Sequence, residues 1–175
     1  MDSLRAFIPA LIMAVLGMLL QAILANAISI GHATPNFVIA FAIILSALYP
    51  TFGSVVLCFA MGLLYNLTTS GPVGAMAMVL TLLSYLMVQL FRRMEAPNFL
   101  FALGIVAITI FLAELFYGLL TAALVSGISV SEALGQRALP CAVYDVLVGC
   151  VLYPLPSLLS RVAKMRQVKP GDWKR

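Results

Sequence analysis

Apolar residues run through this chain in six blocks, approximately 7–28, 37–49, 52–67, 73–91, 99–125 and 139–159. The stretches between them are turn chemistry: Gly31…Pro35-Asn36, Pro50…Gly53, Ser70-Gly71-Pro72 and Ala96-Pro97-Asn98, then a longer, more polar loop from Gly127 to Gly135. From Ala6 to Phe91, about half of the chain, there is no Asp, Glu, Lys or Arg. Charged residues make up 9% of the sequence, against roughly 25% in soluble domains. Backbone groups that never meet water must be satisfied within their own segment, so the blocks predict helices that cross a bilayer. The expected fold is an all-α integral membrane protein: a six-helix transmembrane bundle over residues 1–160, followed by a basic tail at 161–175.

Blocks two and three are short. Thirteen residues rise only about 20 Å as helix, against a hydrocarbon core of about 30 Å. They are expected to extend into their flanks, tilt or form an incomplete hairpin, with two full crossings favoured. The N-terminus imitates a secretory signal: Arg5, an apolar run, then Ala25-Asn26-Ala27. Yet the run from Phe7 to Leu24 exceeds the roughly 7–15 apolar residues of a signal core, which predicts an uncleaved first helix.

Charge orients the bundle. The formal net charge is +4, and the 161–175 tail carries Arg161, Lys164, Arg166, Lys169, Lys174 and Arg175 against Asp172 alone. Basic residues beside an apolar segment mark the cytoplasmic side and attract anionic lipid, so the charge implies no nucleic acid. Arg5, Arg92-Arg93 and the tail share one side only if even numbers of crossings separate them. Four crossings and then two satisfy this and place both termini in the cytoplasm. The loops at 29–35, 66–72 and 126–137 then fall outside, the last carrying Glu132 and Arg137.

Small residues four apart permit close helix contact at Ala10/Ala14, Ala42/Ser46, Gly71/Ala75 and Ala138/Ala142. Cys58, Cys141 and Cys150 lie in apolar runs and read as packing residues. His32 reads as a loop residue, because no set of matching ligands accompanies it. No hydrolase elbow, phosphate loop or nucleotide fingerprint is present, so no catalytic, metal or cofactor site is expected.

Two carboxylates fall inside predicted helices. Glu114 is about 22 Å along the fifth helix, and Asp145 about 9 Å into the sixth, which runs the other way. Both therefore belong to the outer half of the membrane at similar depth, and Asn26, His32, Asn36 and Asn66 map toward the same side. Intramembrane ionisable groups are costly and usually face partners. Polar glue between helices or a partner contact is the favoured reading; a ligand pocket and a proton relay are the others. A protonated carboxyl would lower the cost of burial and donate a hydrogen bond.

Two stretches carry a pattern beyond hydropathy. One is Gly62-Leu63-Leu64-Tyr65-Asn66-Leu67-Thr68-Thr69-Ser70-Gly71-Pro72-Val73-Gly74, a helix end, a short polar loop and a Gly-Pro-x-Gly helix start. The other is Ala138-Leu139-Pro140-Cys141-Ala142-Val143-Tyr144-Asp145, followed by Tyr153-Pro154-Leu155. With Pro35-Asn36 opening the second helix, the chain length and the basic end, these resemble the bacterial rod shape-determining protein MreD family. The family often has an acid where Asn66 stands, Asn where Asp145 stands, and basic residues in the loop that here reads Tyr49-Pro50-Thr51-Phe52-Gly53. A strict acid at the end of the third helix is therefore not available here.

The resemblance implies a non-enzymatic component of the cell-elongation machinery in the bacterial inner membrane. It would bind the single-span protein MreC and, through it, meet MreB, RodA and a penicillin-binding transpeptidase. The partner contact would lie at Gly71-Pro72-Val73-Gly74, or on the sixth helix from Pro140 through Tyr144 to Asp145. Asn66 and Glu114 complete the candidate set. The rival reading is a vitamin-transporter S component, a small six-helix architecture that the family resembles. That reading would use an outward polar pocket, with Ala10/Ala14 as a docking face.

Overall fold

The computed structural model describes residues 2–25, 27–29, 34–69, 71–94, 97–125, 131 and 133–158. The fold is all-helical among these residues, with α1 (Asp2–Leu24), α2 (Phe37–Leu48), α3 (Phe52–Thr68), α4 (Ala75–Arg93), α5 (Phe99–Leu124) and α6 (Leu139–Leu152). Four spans are long and apolar enough to cross a membrane: Phe7–Leu24, Ala75–Arg93, Phe99–Leu124 and Leu139–Leu158. The six expected helices are all present, and each begins or ends within a few residues of its apolar block.

Successive helices alternate in direction, giving the bundle two distinct ends. At the arginine end, Arg92 Nε donates to the Pro50 carbonyl at 2.9 Å, and the Phe99 ring lies 5.7 Å from that of Tyr153. At the opposite end, Tyr65 and Tyr117 meet edge to face, and the Tyr144 hydroxyl donates to the Ile28 carbonyl at 2.8 Å.

The centre is α2. Every residue from Phe37 to Ala47 is buried, and α2 packs against each of the other five helices. Its sequence explains this: FVIAFAIILSAL has no polar face, and its one hydroxyl, Ser46, bonds back to the Ala42 carbonyl at 2.8 Å. A helix that is apolar all round belongs in an interior. Of the ways a short block could be accommodated, lengthening into its flanks is not the one α2 takes. It starts at Phe37 and stops at Leu48, a rise of about 18 Å. A helix this short is compatible with the membrane because its neighbours, not lipid, surround it.

Three boundaries depart from the sequence reading. Helix α4 starts at Ala75 rather than Val73, because Gly74 takes the left-handed conformation (φ 89°). A π-helical turn, Ala133–Ala138, leads directly into α6 where loop was expected; its sequence, ALGQRA, is rich in helix formers. The last block bends at Tyr153, before Pro154, while keeping helical backbone angles there (φ −59°, ψ −41°) and running on to Leu158. The Ala10/Ala14 pair is also not a free docking face. Both residues are buried in the core, and α1 packs on α2 and α3, while Ile8, Ile12, Val15, Leu19 and Ile23 face outward.

Close packing between α3 and α4 depends on Gly62. A Cβ there would stand 2.6 Å from the Ala77 Cα and 2.8 Å from its nitrogen, both backbone atoms that cannot step aside. Without a strong hydrophobic drive between helices in lipid, such contact is a main source of association. Gly62→Leu is therefore expected to lower the detergent melting point sharply, by more than the ~1–3 kcal/mol typical of overpacking. Gly104→Leu, at an exposed position with nothing near its Cβ, should leave melting unchanged and serves as the control. Equal melting curves for the two variants would remove the close-packing argument.

Candidate functional site

A helix start leaves backbone N–H groups without intrahelical partners. At α2 that start is buried: Asn36 is 4% exposed and Phe37 5%. Three side chains close it. The Asn36 N–H donates to Asp145 Oδ1 of α6 at 2.6 Å. The Phe37 N–H donates to Gln21 Oε1 of α1 at 2.7 Å, and the Ile39 N–H to Asn36 Oδ1 at 3.3 Å. Pro35 precedes this turn and fixes the entry of the chain. An acidic group at a helix N-terminus also complements the positive end of its dipole. One short helix thus ties together both ends of the described chain.

Asp145 is fully buried, and Glu114 of α5 is 7% exposed. The two carboxyls lie within electrostatic reach of one another, a proximity that the similar depth read from the sequence did not by itself imply. Among the described residues, nothing hydrogen-bonds Asp145 Oδ2. The cluster of Gln21, Asn36, Glu114 and Asp145 is therefore a compact polar centre in the half of the bundle away from Arg92 and Arg93.

The α3–α4 turn repeats the device. Asn66, 2% exposed near the end of α3, accepts from the Met76 and Ala77 N–H groups at 2.9 and 3.4 Å. Among the described residues, its Nδ2 meets no partner. Gly74 supplies the N-cap backbone of α4 with no side-chain cap of its own, so the Asn66 amide replaces one. The Pro72 carbonyl accepts from Ala75 N–H at 3.3 Å, closing the turn. A side chain at Gly71 would run into the Tyr117 hydroxyl. Tyr117 stands one helical turn from Glu114 on α5, so α5 adjoins both polar centres.

The sequence candidates thus divide into two groups. Glu114 and Asp145 come together with Asn36, while Asn66, Gly71, Pro72 and Gly74 build the α3–α4 turn. Tyr144 secures α6 to the end of α1 through Ile28. Pro140 is exposed in the first turn of α6. Gln21 was missed, as a single amide within an apolar helix; its one signal is that it lies a turn before the end of α1. Tyr117 was missed as an ordinary aromatic. Asn26, His32, Glu132 and the 161–175 tail lie outside the described residues, as do the side chains of Arg5 and Arg137. Among the described residues no group of three or more His, Cys, Asp or Glu is placed to hold a metal ion.

The family model for the rod shape-determining protein MreD matches residues 1–163. No curated protein and no solved structure matches the chain, so the likeness to transporter S components has no support.

Removing the Asp145 carboxyl leaves a buried N–H unsatisfied. Asp145→Ala should destabilise the folded protein by ~1–3 kcal/mol, and Gln21→Leu by a similar or smaller amount. Asp145→Asn keeps an acceptor for Asn36 and should recover most of the loss. Thermal unfolding in one detergent compares the three; an Asn variant as unstable as the Ala variant would mean that charge, not capping, is what α2 requires.

Proposed function

Since the chain belongs to the rod shape-determining MreD family, we propose that it is a non-enzymatic membrane component of the bacterial rod-shape complex that binds MreC. Through MreC it would help position lateral peptidoglycan synthesis, meeting MreB, RodA and a penicillin-binding transpeptidase indirectly. The observation carrying this reading is the family match over residues 1–163. The use of the buried and half-buried polar side chains supports it. Asn36, Asn66, Asp145 and Gln21 all accept from backbone N–H groups, which suits a scaffold held in one shape.

We place the protein in the inner membrane with both termini cytoplasmic, from the positions of Arg92, Arg93 and the basic tail. MreC would contact the end of the bundle where α4 and α6 begin. Val73 is exposed in the turn before α4, and Leu139 and Val143 on α6; α4 and α6 both pack against α5. Single-span helices associate in lipid through packing and polar contacts at such faces.

Two experiments test the reading. With the three native cysteines replaced, Asn98→Cys should resist a membrane-impermeant thiol reagent added outside cells, while Val73→Cys should react; the reverse pattern would invert the topology. Co-purification with MreC should fall about tenfold or more for Val73→Arg or Val143→Trp, the loss of one good contact at an interface. These exposed positions are cleaner probes than Gly74→Leu, which would strain a left-handed backbone as well. MreC that never co-purifies with the unaltered protein would defeat the scaffold reading.

A further inference from the structure

We infer that the arginine end of α4 is a binding site for an anionic phospholipid, with phosphate held by Arg92 and Arg93 and its glycerol ester region held by Tyr85 and Gln89. Arg92 is fixed in place: its Nε donates to the Pro50 carbonyl at 2.9 Å, so the guanidinium is anchored to the α2–α3 turn. Arg93 beside it is exposed. Both sit in the last turn of α4, where the negative end of the helix dipole favours cations.

Directly along the same side of the helix lie Gln89 and Tyr85, at steps that return to one face. Gln89 Nε2 donates to the Tyr85 hydroxyl at 2.9 Å, so both polar groups sit at one level. That level is about 6 Å below Arg93, close to the thickness of one polar interface layer. Beside the polar pair Leu90 and Leu86 are exposed, and deeper than it the exposed residues are Leu82 and Met78. Charge, then hydrogen-bonding groups, then bare hydrocarbon is the polarity profile of a phospholipid from phosphate to acyl chain.

The same face argues against a partner helix. Close helix association uses small residues, and the small residues of α4 (Ala75, Ala77 and Ser84) are all buried inside the bundle. The outward stripe is long side chains only. The occupant that matches both the charge and the side-chain size is a lipid.

Native mass spectrometry of the full chain, equilibrated with equal phosphatidylglycerol and phosphatidylethanolamine, tests this. All proteins compared carry glutamine in place of the six basic residues of 161–175, which removes the tail as a second anion site. The parent protein should retain phosphatidylglycerol preferentially. Arg92→Gln/Arg93→Gln should lower that preference roughly thirtyfold, the effect of two arginine attractions at a membrane surface. If that pair fails to fold, Arg93→Gln alone should still lower it roughly fivefold. Tyr85→Phe/Gln89→Leu should reduce total lipid retained while keeping the preference for phosphatidylglycerol. An unchanged preference in folded arginine variants overturns the site. A photo-crosslinking residue at Leu86 should label phospholipid in cells; labelling of a polypeptide instead would also overturn it.

Discussion

Everything in this bundle depends on closing the buried start of a twelve-residue helix. A spanning helix normally delivers its unsatisfied N–H groups to water or headgroups. Helix α2 is too short for that and begins among side chains. Each N–H left open there would cost several kcal/mol in a non-polar surrounding. Asp145 from α6, Gln21 from α1 and Asn36 itself remove that cost. Because the acceptors come from α1 and α6, closing one helix end also fixes the position of two others.

The α3–α4 turn answers the same constraint with less. Its helix start is also buried, and Asn66 alone accepts from two successive N–H groups. Gly62 makes that possible by letting α3 lie against the backbone of α4, which brings the amide within reach. Between α2 and α3, deeper in the core, the Cys58 thiol bonds to the Ala42 carbonyl and meets Ser46 at 3.4 Å. Polar atoms inside the bundle are few, and the side chains of Asn36, Ser46, Cys58, Asn66 and Asp145 all bond to backbone. That is the pattern of structural satisfaction rather than of a reactive centre.

Much of this was legible in the sequence. Hydropathy located six helices, because charge is absent where lipid or protein must surround the chain. Counting residues along antiparallel helices gave Glu114 and Asp145 a similar depth, since rise per residue is fixed, but not that the two helices bring them together. Pro35-Asn36 marked where the second helix opens, though not that Asn36 caps it. The reach of single side chains was not legible. Gln21 looks like any interruption in an apolar run until α2 is seen to begin beside it, and Asn66 could serve either a loop or a helix. The length of α2 also misled: its composition says buried, but only the packing says that protein rather than membrane surrounds its end. The π-helical turn before α6 was hidden by Gly135, which reads as loop.

Asn36 and Asp145 are 109 positions apart in the chain. Synthesis runs from the N-terminus, so α2 enters the membrane long before its acceptor from α6 exists. Until the sixth helix arrives, the Asn36 N–H lacks the carboxyl that accepts from it in the folded bundle. The core of the protein is therefore completed last. Maturation of the centre and insertion of the final helix are one event, and a ribosome that stops short of residue 145 leaves behind a chain that has crossed the membrane without having folded.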